Sequence, residues 1–277
     1  MFKIVEQEEF TYLKFEPWEK LGCSAIFSLK MRETASANAR LYKSLNIDKS
    51  RVVQLKQVHS RIIFILKSRE SYQKQELFPA DAVISSGREI SSLPDDSAGE
   101  QIIKGNKGNS PVLQGVFADC VPVYFCEPQK KILALAHAGW RGTGKRICSA
   151  VLREIALRYG ADPEDCQIII GPAIGMRNYQ VGSEVLRFFS NYWDDPREFF
   201  QDHLESCGEE KHKKPEKFYL DLKEANRQDL LSAGAKEKNI YLSPRDTFRD
   251  GDMFYSYRRE GDQARRMKAL LFWKGNK

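Results

Sequence analysis

Apolar and polar positions along this chain predict strands and helices mixed without strict alternation. The densest patterning lies in FADCVPVYFCEPQKKILALAHAGWRGTGKR, where VPVYFC and KILALAHA carry the β-branched and aromatic residues of strands. EPQKK between them has the proline and polar residues of a turn, so the two runs predict a hairpin. RVVQLKQV and RIIFILK predict a pair of strands around His59 and Ser60, and DAVISS a further short strand. CQIIIGPAIG reads as a buried strand broken by Gly171 and Pro172, and YQVGSEVLRFF as a turn leading into a helix. Towards the end, NIYLS, DMFYSYRR and MKALLFW predict three more strands.

Helical spacing is equally visible. Asn38 to Ile47 is one such stretch, and the run from Thr143 to Tyr159 sets Ile147, Val151, Leu152 and Ile155 on one face before stopping at Gly160. In FYLDLKEANRQDLLSAGA, Asp221 is placed as an N-cap with Glu224 three positions later, followed by Ala225, Leu230, Leu231 and a terminating Gly234. GREISSLPDDSAGEQIIKGNKGNSP has little periodicity and predicts an exposed inserted loop. The mixture predicts an α+β fold: a single domain over residues 1–277, with mixed β-sheets packed together and flanking helices.

Length and composition narrow the function classes. At 277 residues the chain can bury a substantial core without cross-links, and its six cysteines, Cys23, Cys120, Cys126, Cys148, Cys166 and Cys207, show neither CxxC pairing nor framework spacing. A reducing cytoplasm fits that usage. The N-terminus lacks the apolar core of a signal peptide, and no window reaches the roughly eighteen apolar residues of a membrane span, so neither secretion nor membrane insertion is expected. The net charge of +6 is a small excess, with 44 basic and 38 acidic residues interspersed. The one dense basic stretch, EEKHKKPEK, contains its own carboxylates and predicts a solvated loop, which argues against a nucleic-acid partner.

The predicted hairpin brings Cys120 and His137, 17 positions apart, to neighbouring strand ends. A close thiol and imidazole suit a zinc or copper ion, and they equally suit a cysteine nucleophile with its base. His59 also falls at a predicted strand end. Cys126, Cys148 and Cys166 lie in apolar surroundings and read as core, while His203 and His212 belong to a polar connection. Trp140 either stacks on a ligand ring or closes the core.

Taken in order, QVH, ADC and HAGWRGT resemble the three signature blocks of the family called YfiH-like, multicopper polyphenol oxidase (laccase) domain proteins, or multifunctional purine nucleoside phosphorylases. NARLYKSLNI, DAVISS, GPAIGMRNYQVGSEV, YLDLKEANRQDLLSAGAKEKNI and FYSYRREG extend the resemblance over most of the chain. It implies metal ligands at His59, Cys120 and His137 with one position open, the mark of a catalytic zinc site. It also implies phosphorolysis of adenosine and inosine, related action on methylthioadenosine, and hydrolytic deamination of adenosine. Purine nucleosides and phosphate are then the partners, and a monomer or homodimer the assembly. Three departures stand out: Ser60 in place of the family's glycine, Ser243 in place of its cysteine, and GDQARRM in place of a TGR-containing end.

Phosphorolysis calls for a held phosphate, for which guanidinium groups are suited. Arg141, four residues beyond His137 and before a Gly-Thr-Gly turn, is one candidate. Arg258 is the other, and strand alternation in DMFYSYRR would send it and Arg259 to opposite faces. Asp119 is either a proton carrier or a structural cap. Copper-dependent phenol oxidation is the first rival reading, but four histidines in the chain are too few for a multicopper cluster. A cysteine hydrolase or deamidase using Cys120 and His137 is the second; it leaves His59 without a task. A non-catalytic interaction module is the third, with only the basic balance behind it.

Overall fold

The structure is a computed structural model, and it describes residues 2–7, 10–31, 35–66, 78–86, 110–202 and 217–274. Strands β1 (Phe2–Gln7), β2 (Phe10–Phe15) and β3 (Cys23–Ser28) lead into helix α1 (Ala35–Ser44), followed by β4 (Val52–Gln54), β5 (Ile63–Leu66) and β6 (Ala82–Ser86). Next come β7 (Val112–Phe117), β8 (Val121–Glu127), β9 (Ile132–Ala138), α2 (Trp140–Gly144) and α3 (Ile147–Tyr159). Strands β10 (Gln167–Ile170) and β11 (Gln180–Gly182) precede α4 (Ser183–Phe189), and β12 (Phe200–Asp202) and β13 (Lys217–Leu220) precede α5 (Leu222–Ser232). The chain continues through β14 (Ile240–Leu242) and α6 (Tyr257–Glu260) to β15 (Met267–Trp273).

These strands form two six-stranded sheets, ordered β1-β2-β3-β15-β7-β4 and β14-β10-β8-β9-β6-β5, and a three-stranded sheet β11-β13-β12. Pairing is mixed: β4–β7, β5–β6 and β10–β14 are parallel, and the remaining ladders antiparallel. The second large sheet is a middle layer, which explains why β8 and β9 are buried at every position. Alternation along β8 sends Tyr124 and Cys126 towards Phe27, Phe117 and Leu271 of the first sheet. Val121, Val123 and Phe125 go the other way, against Val151 and Ile155 of α3 and Ala225 and Leu230 of α5. Truncating a fully buried ring such as Phe125 to alanine costs about 3–5 kcal/mol at such a site. On the far face of the first sheet, Tyr12, Ile26 and Leu270 pack on Leu41 and Tyr42 of α1. The expected α+β fold of packed mixed sheets with flanking helices is the one observed.

The two strands expected around His59 are present as β4 and β5, and they enter different sheets: β4 joins β7 in one and β5 joins β6 in the other. The chain between them crosses from sheet to sheet, and His59 sits in that crossing at φ 55. The helix expected over Thr143–Tyr159 is two, because Arg146 adopts φ 61 between α2 and α3 and its Nε donates to the buried Asp229 carboxylate at 3.0 Å. Gly160, at φ 57, closes α3 as a left-handed cap. DMFYSYRR is not a strand: Ser256 caps α6 by accepting from the Arg259 backbone N–H. Arg258 and Arg259 therefore lie one helical step apart, and the argument from strand alternation does not apply to them. Asp221 does cap α5, its carboxylate accepting from Glu224 N–H at 3.0 Å. The loop expected around 87–111 lies, up to residue 109, outside the described residues, as do most of EEKHKKPEK, His203, His212 and Cys207.

Candidate metal centre

Antiparallel pairing of β8 with β9 sets Pro122 opposite His137, so the residue just before β8, Cys120, and the next-to-last residue of β9 share one end of the hairpin. Asp119 turns the chain there at φ 84, a left-handed conformation that Asp tolerates better than most side chains. The sheet-crossing segment carries His59 to the same end. One ligand atom from each of His59, Cys120 and His137 lies within 4.8 Å of the others. The approach requires Gly139: a β-carbon there would stand 3.0 Å from Cys120 Sγ and 3.3 Å from His59 Cδ2.

A buried carboxylate, Asp81, at the head of β6 holds two of the three. It accepts hydrogen bonds from His59 N–H at 3.1 Å, Ser60 N–H at 2.6 Å and Ser60 Oγ at 2.7 Å, and pairs with His137 Nδ1 at 2.9 Å. An ionised carboxylate only accepts, so Nδ1 carries a proton, and in the neutral ring the lone pair of His137 resides on Nε2. Burial works against the Asp81 charge, but the bonds from His137 and Ser60 outweigh it and hold the acid at about 2. Burial likewise opposes a charged Cys120, yet the His137 and His59 imidazoles bring its thiol down to about 6. His137 responds in the opposite sense: burial lowers it, while the Cys120 thiolate and Asp81 raise it to about 9.

Two imidazole nitrogens and a thiolate form a mixed borderline and soft donor set, which fits zinc and also copper(I). The His-Cys-His group is therefore one that could hold a metal ion, with its fourth side towards a cavity of ≈ 620 Å³. That size is in the ordinary range for small-molecule sites. Trp140, Arg141, Tyr179, Tyr257, Arg258 and Arg266 line the rest of the wall together with Asp119, Gln57 and four aliphatic side chains. The five residues singled out in the sequence, His59, Cys120, His137, Arg141 and Arg258, thus border one space. Arg141 lies over the Trp140 ring at 4.0 Å, and among the described residues no carboxylate pairs with it.

Other polar groups in the wall are already committed. Asp119 accepts from Thr247 Oγ1 at 2.7 Å, Ser256 Oγ at 3.0 Å and Arg258 N–H at 2.6 Å, and so pins the C-terminal segment. Gln57 uses both ends of its amide on Val116, at 2.9 and 2.8 Å. Arg259 donates to the Thr247, Phe248 and Phe254 carbonyls and to Glu260. Ser243 is buried, with its Oγ accepting from Arg245 N–H at 3.3 Å, and does not border the cavity. Cys126, Cys148 and Cys166 are core residues, as expected. Sequence reasoning missed Asp81, Tyr179 and Tyr257, and assigned no role to Arg266. Only Asp81 left a signal, an acid opening the otherwise apolar run DAVIS. No helix among the described residues is long and apolar enough to cross a membrane.

Residues 106–274 match the family described as multi-copper polyphenol oxidoreductase laccase, a span that contains Cys120 and His137 but not His59. A purine nucleoside phosphorylase of Staphylococcus epidermidis is 37% identical over 155 residues, which is 56% of this chain and 53% of that protein. The purine nucleoside phosphorylase YlmD of Geobacillus stearothermophilus is 39% identical over the same shares of the two chains. The matched segment thus spans about half the length of these relatives. Among solved structures, the hypothetical protein YfiH of Bacillus licheniformis superposes with a TM-score of 0.76 at 22% identity, covering 98% of this chain and 99% of its own. YlmD of Geobacillus stearothermophilus superposes at 0.73 and 24% identity, over 99% of this chain and 100% of its own.

Proposed function

This chain belongs to the multi-copper polyphenol oxidoreductase laccase family, and from that premise we propose that it is a zinc-dependent purine nucleoside phosphorylase. Its substrates are adenosine and inosine, also methylthioadenosine, and it carries adenosine deaminase activity. The observation that supports this most is the His59, Cys120 and His137 cluster bordering a cavity whose wall also carries Arg141 and Arg258. The names of the relatives at 37% and 39% identity point to the same reaction.

Zinc held by the three donors supplies Lewis acidity and activates water near neutral pH. The chain's own residues do the remainder. Asp81 keeps the proton of His137 on Nδ1, so that Nε2 stays available as a donor atom. Arg141 and Arg258 hold phosphate against the anomeric carbon. A phosphate oxygen bonds to C1′ as the glycosidic C1′–N9 bond breaks, and the electron pair leaves with the purine, which takes up a proton. Deamination adds water at C6 and releases ammonia. Trp140, a half-buried ring in the wall, offers a face on which the purine stacks. A reducing cytoplasm, which keeps the Cys120 thiol available, is the setting this chemistry requires.

A cysteine hydrolase reading draws on one feature, the Cys120 thiol held at about 6 beside His137. Copper-dependent phenol oxidation has the family's description behind it, but four histidines in the chain are too few for a multicopper cluster. Chromatography of products after incubating zinc-loaded protein with adenosine, in parallel with and without phosphate, separates these readings. Adenine formed only with phosphate is the expected result, and inosine in either sample reports deamination. No turnover in either sample would discard the phosphorylase and leave the hydrolase.

A further inference from the structure

Several polar groups in the cavity wall are spent on the fold. Asp119 accepts from three donors, Gln57 uses both ends of its amide on Val116, and Arg266 donates to the Ala264 and Arg265 carbonyls. Tyrosines follow the same habit. Tyr42, Tyr124 and Tyr255 donate to Gln114 Oε1, Ile26 O and Met31 O at 2.7, 2.9 and 2.8 Å, and Tyr257, in the wall, donates to Asp262 at 3.1 Å. Tyr179, also in the wall, departs from it: among the described residues its hydroxyl has no hydrogen-bond partner, and it is not sealed in the core.

The ring is nonetheless firmly placed. Its backbone N–H donates to Met176 O at 3.0 Å, its carbonyl accepts from Leu220 N–H at 3.0 Å, and β11 begins at the next residue with Gln180 opposite Tyr219 of β13. Arg258 lies over the ring at 5.0 Å. The charges that act on the hydroxyl come from Cys120, Arg258, Asp119 and Arg141, all bordering the cavity. The hydroxyl end therefore points into that space, in the shared field of a metal donor and the two arginines. Burial first, and the Cys120 thiolate next, push its ionisation well above the usual phenol range, so the group stands as an O–H donor.

In phosphorolysis the electron pair of the C1′–N9 bond leaves with the purine, so negative charge grows on the ring nitrogens while a phosphate oxygen bonds to C1′. A fixed donor aimed at that charge binds the transition state more tightly than the ground state. We infer that Tyr179 is a catalytic residue of this site, donating a hydrogen bond from its hydroxyl to a ring nitrogen of the departing purine. The inference rests on the phosphorolysis reading and adds what Arg141 and Arg258 do not supply, since those hold the phosphate. The phenol keeps its own proton, and the released purine anion takes one from water.

Formation of ribose 1-phosphate by zinc-loaded wild type and Tyr179→Phe, compared on adenosine and on 6-chloropurine riboside, tests this. Phenylalanine keeps the ring beneath Arg258 and removes a hydroxyl without a protein partner, so zinc content and melting temperature, measured alongside, should match wild type. On adenosine, kcat is expected to fall about a hundredfold or more, with KM for phosphate little changed. On 6-chloropurine riboside the loss should be smaller, because the electron-withdrawing chlorine already stabilises the departing anion. An unchanged kcat on adenosine would overturn the inference. So would equal losses on both nucleosides, which a role in substrate positioning gives, or a raised KM for phosphate as the sole effect. No ribose 1-phosphate from wild type with either nucleoside would overturn the phosphorolysis reading and this inference with it, an outcome distinct from an active wild type matched by its variant.

Discussion

Cys120 and His137 reach the centre by a different route from His59. The first two are set by strand register: β8 and β9 are buried along their whole length, and the ladder between them decides which residues share an end. His59 is exposed, in a crossing between sheets, and is held there by hydrogen bonds to Asp81. Register is a global property, upheld by every pair in the ladder and hard to disturb singly. A carboxylate hub is local and can be removed by changing one residue. Asp81 links the two systems, because the same side chain holds the His59 segment and the His137 ring.

That contrast is broken most severely by removing the imidazoles one at a time. His59→Ala should abolish nucleoside turnover, by about a thousandfold or more, and empty the metal site, with stability within about 0.5 kcal/mol of wild type because the position is exposed. His137→Ala should be as inactive and also less stable, by about 1–3 kcal/mol, since Asp81 is left buried without a main partner. Turnover assays, metal analysis and denaturant melts decide this, and full activity in His59→Ala would sink the zinc mechanism. A middle effect comes from the hub itself. Asp81→Asn keeps the shape but not the charge, and should cost about 10–100-fold in metal affinity, read by chelator competition. Unchanged affinity would mean that strand register alone positions His137.

The smallest effect concerns protonation in metal-free protein. With its thiol brought to about 6, Cys120 should be alkylated by iodoacetamide with a midpoint near that pH. The thiolate predominates above the midpoint, and reactivity falls as pH drops through it. Cys23, Cys126, Cys148 and Cys166 are buried and should stay unmodified in the folded protein. Peptide mass spectrometry across a pH series reads the outcome. A midpoint near the ordinary cysteine value of ~8.5 would mean that the two histidines do not stabilise the thiolate.

The parts legible in the sequence were those governed by local periodicity. The β8–β9 hairpin, the Gly160 cap, the Asp221 cap and the final strand β15 all follow from patterns only a few residues long. Long-range pairing was not legible: nothing in RVVQLKQVHSRIIFILK reveals that its two halves enter different sheets. DMFYSYRR has the composition of a strand, but Ser256 and the distant Asp119 recruit it into a helix start. His59, Cys120 and His137 were found because signature blocks marked them. Arg266 was not, because its membership in the cavity wall depends on where β15 docks and on Tyr257, neither of which short spacing encodes.

The turn at Asp119 has a consequence in time. Its carboxylate closes contacts across 128, 137 and 139 positions of sequence, to Thr247, Ser256 and Arg258. Contacts of that separation carry a large loop-closure entropy and form late relative to a hairpin spanning a handful of residues. During folding, then, the Cys120 and His137 hairpin is expected to assemble before the segment bearing Arg258 and Arg266 closes over it. The thiol passes through an interval in which it is paired with an imidazole but still open to solvent, and a metal ion present in that interval would meet an uncovered site.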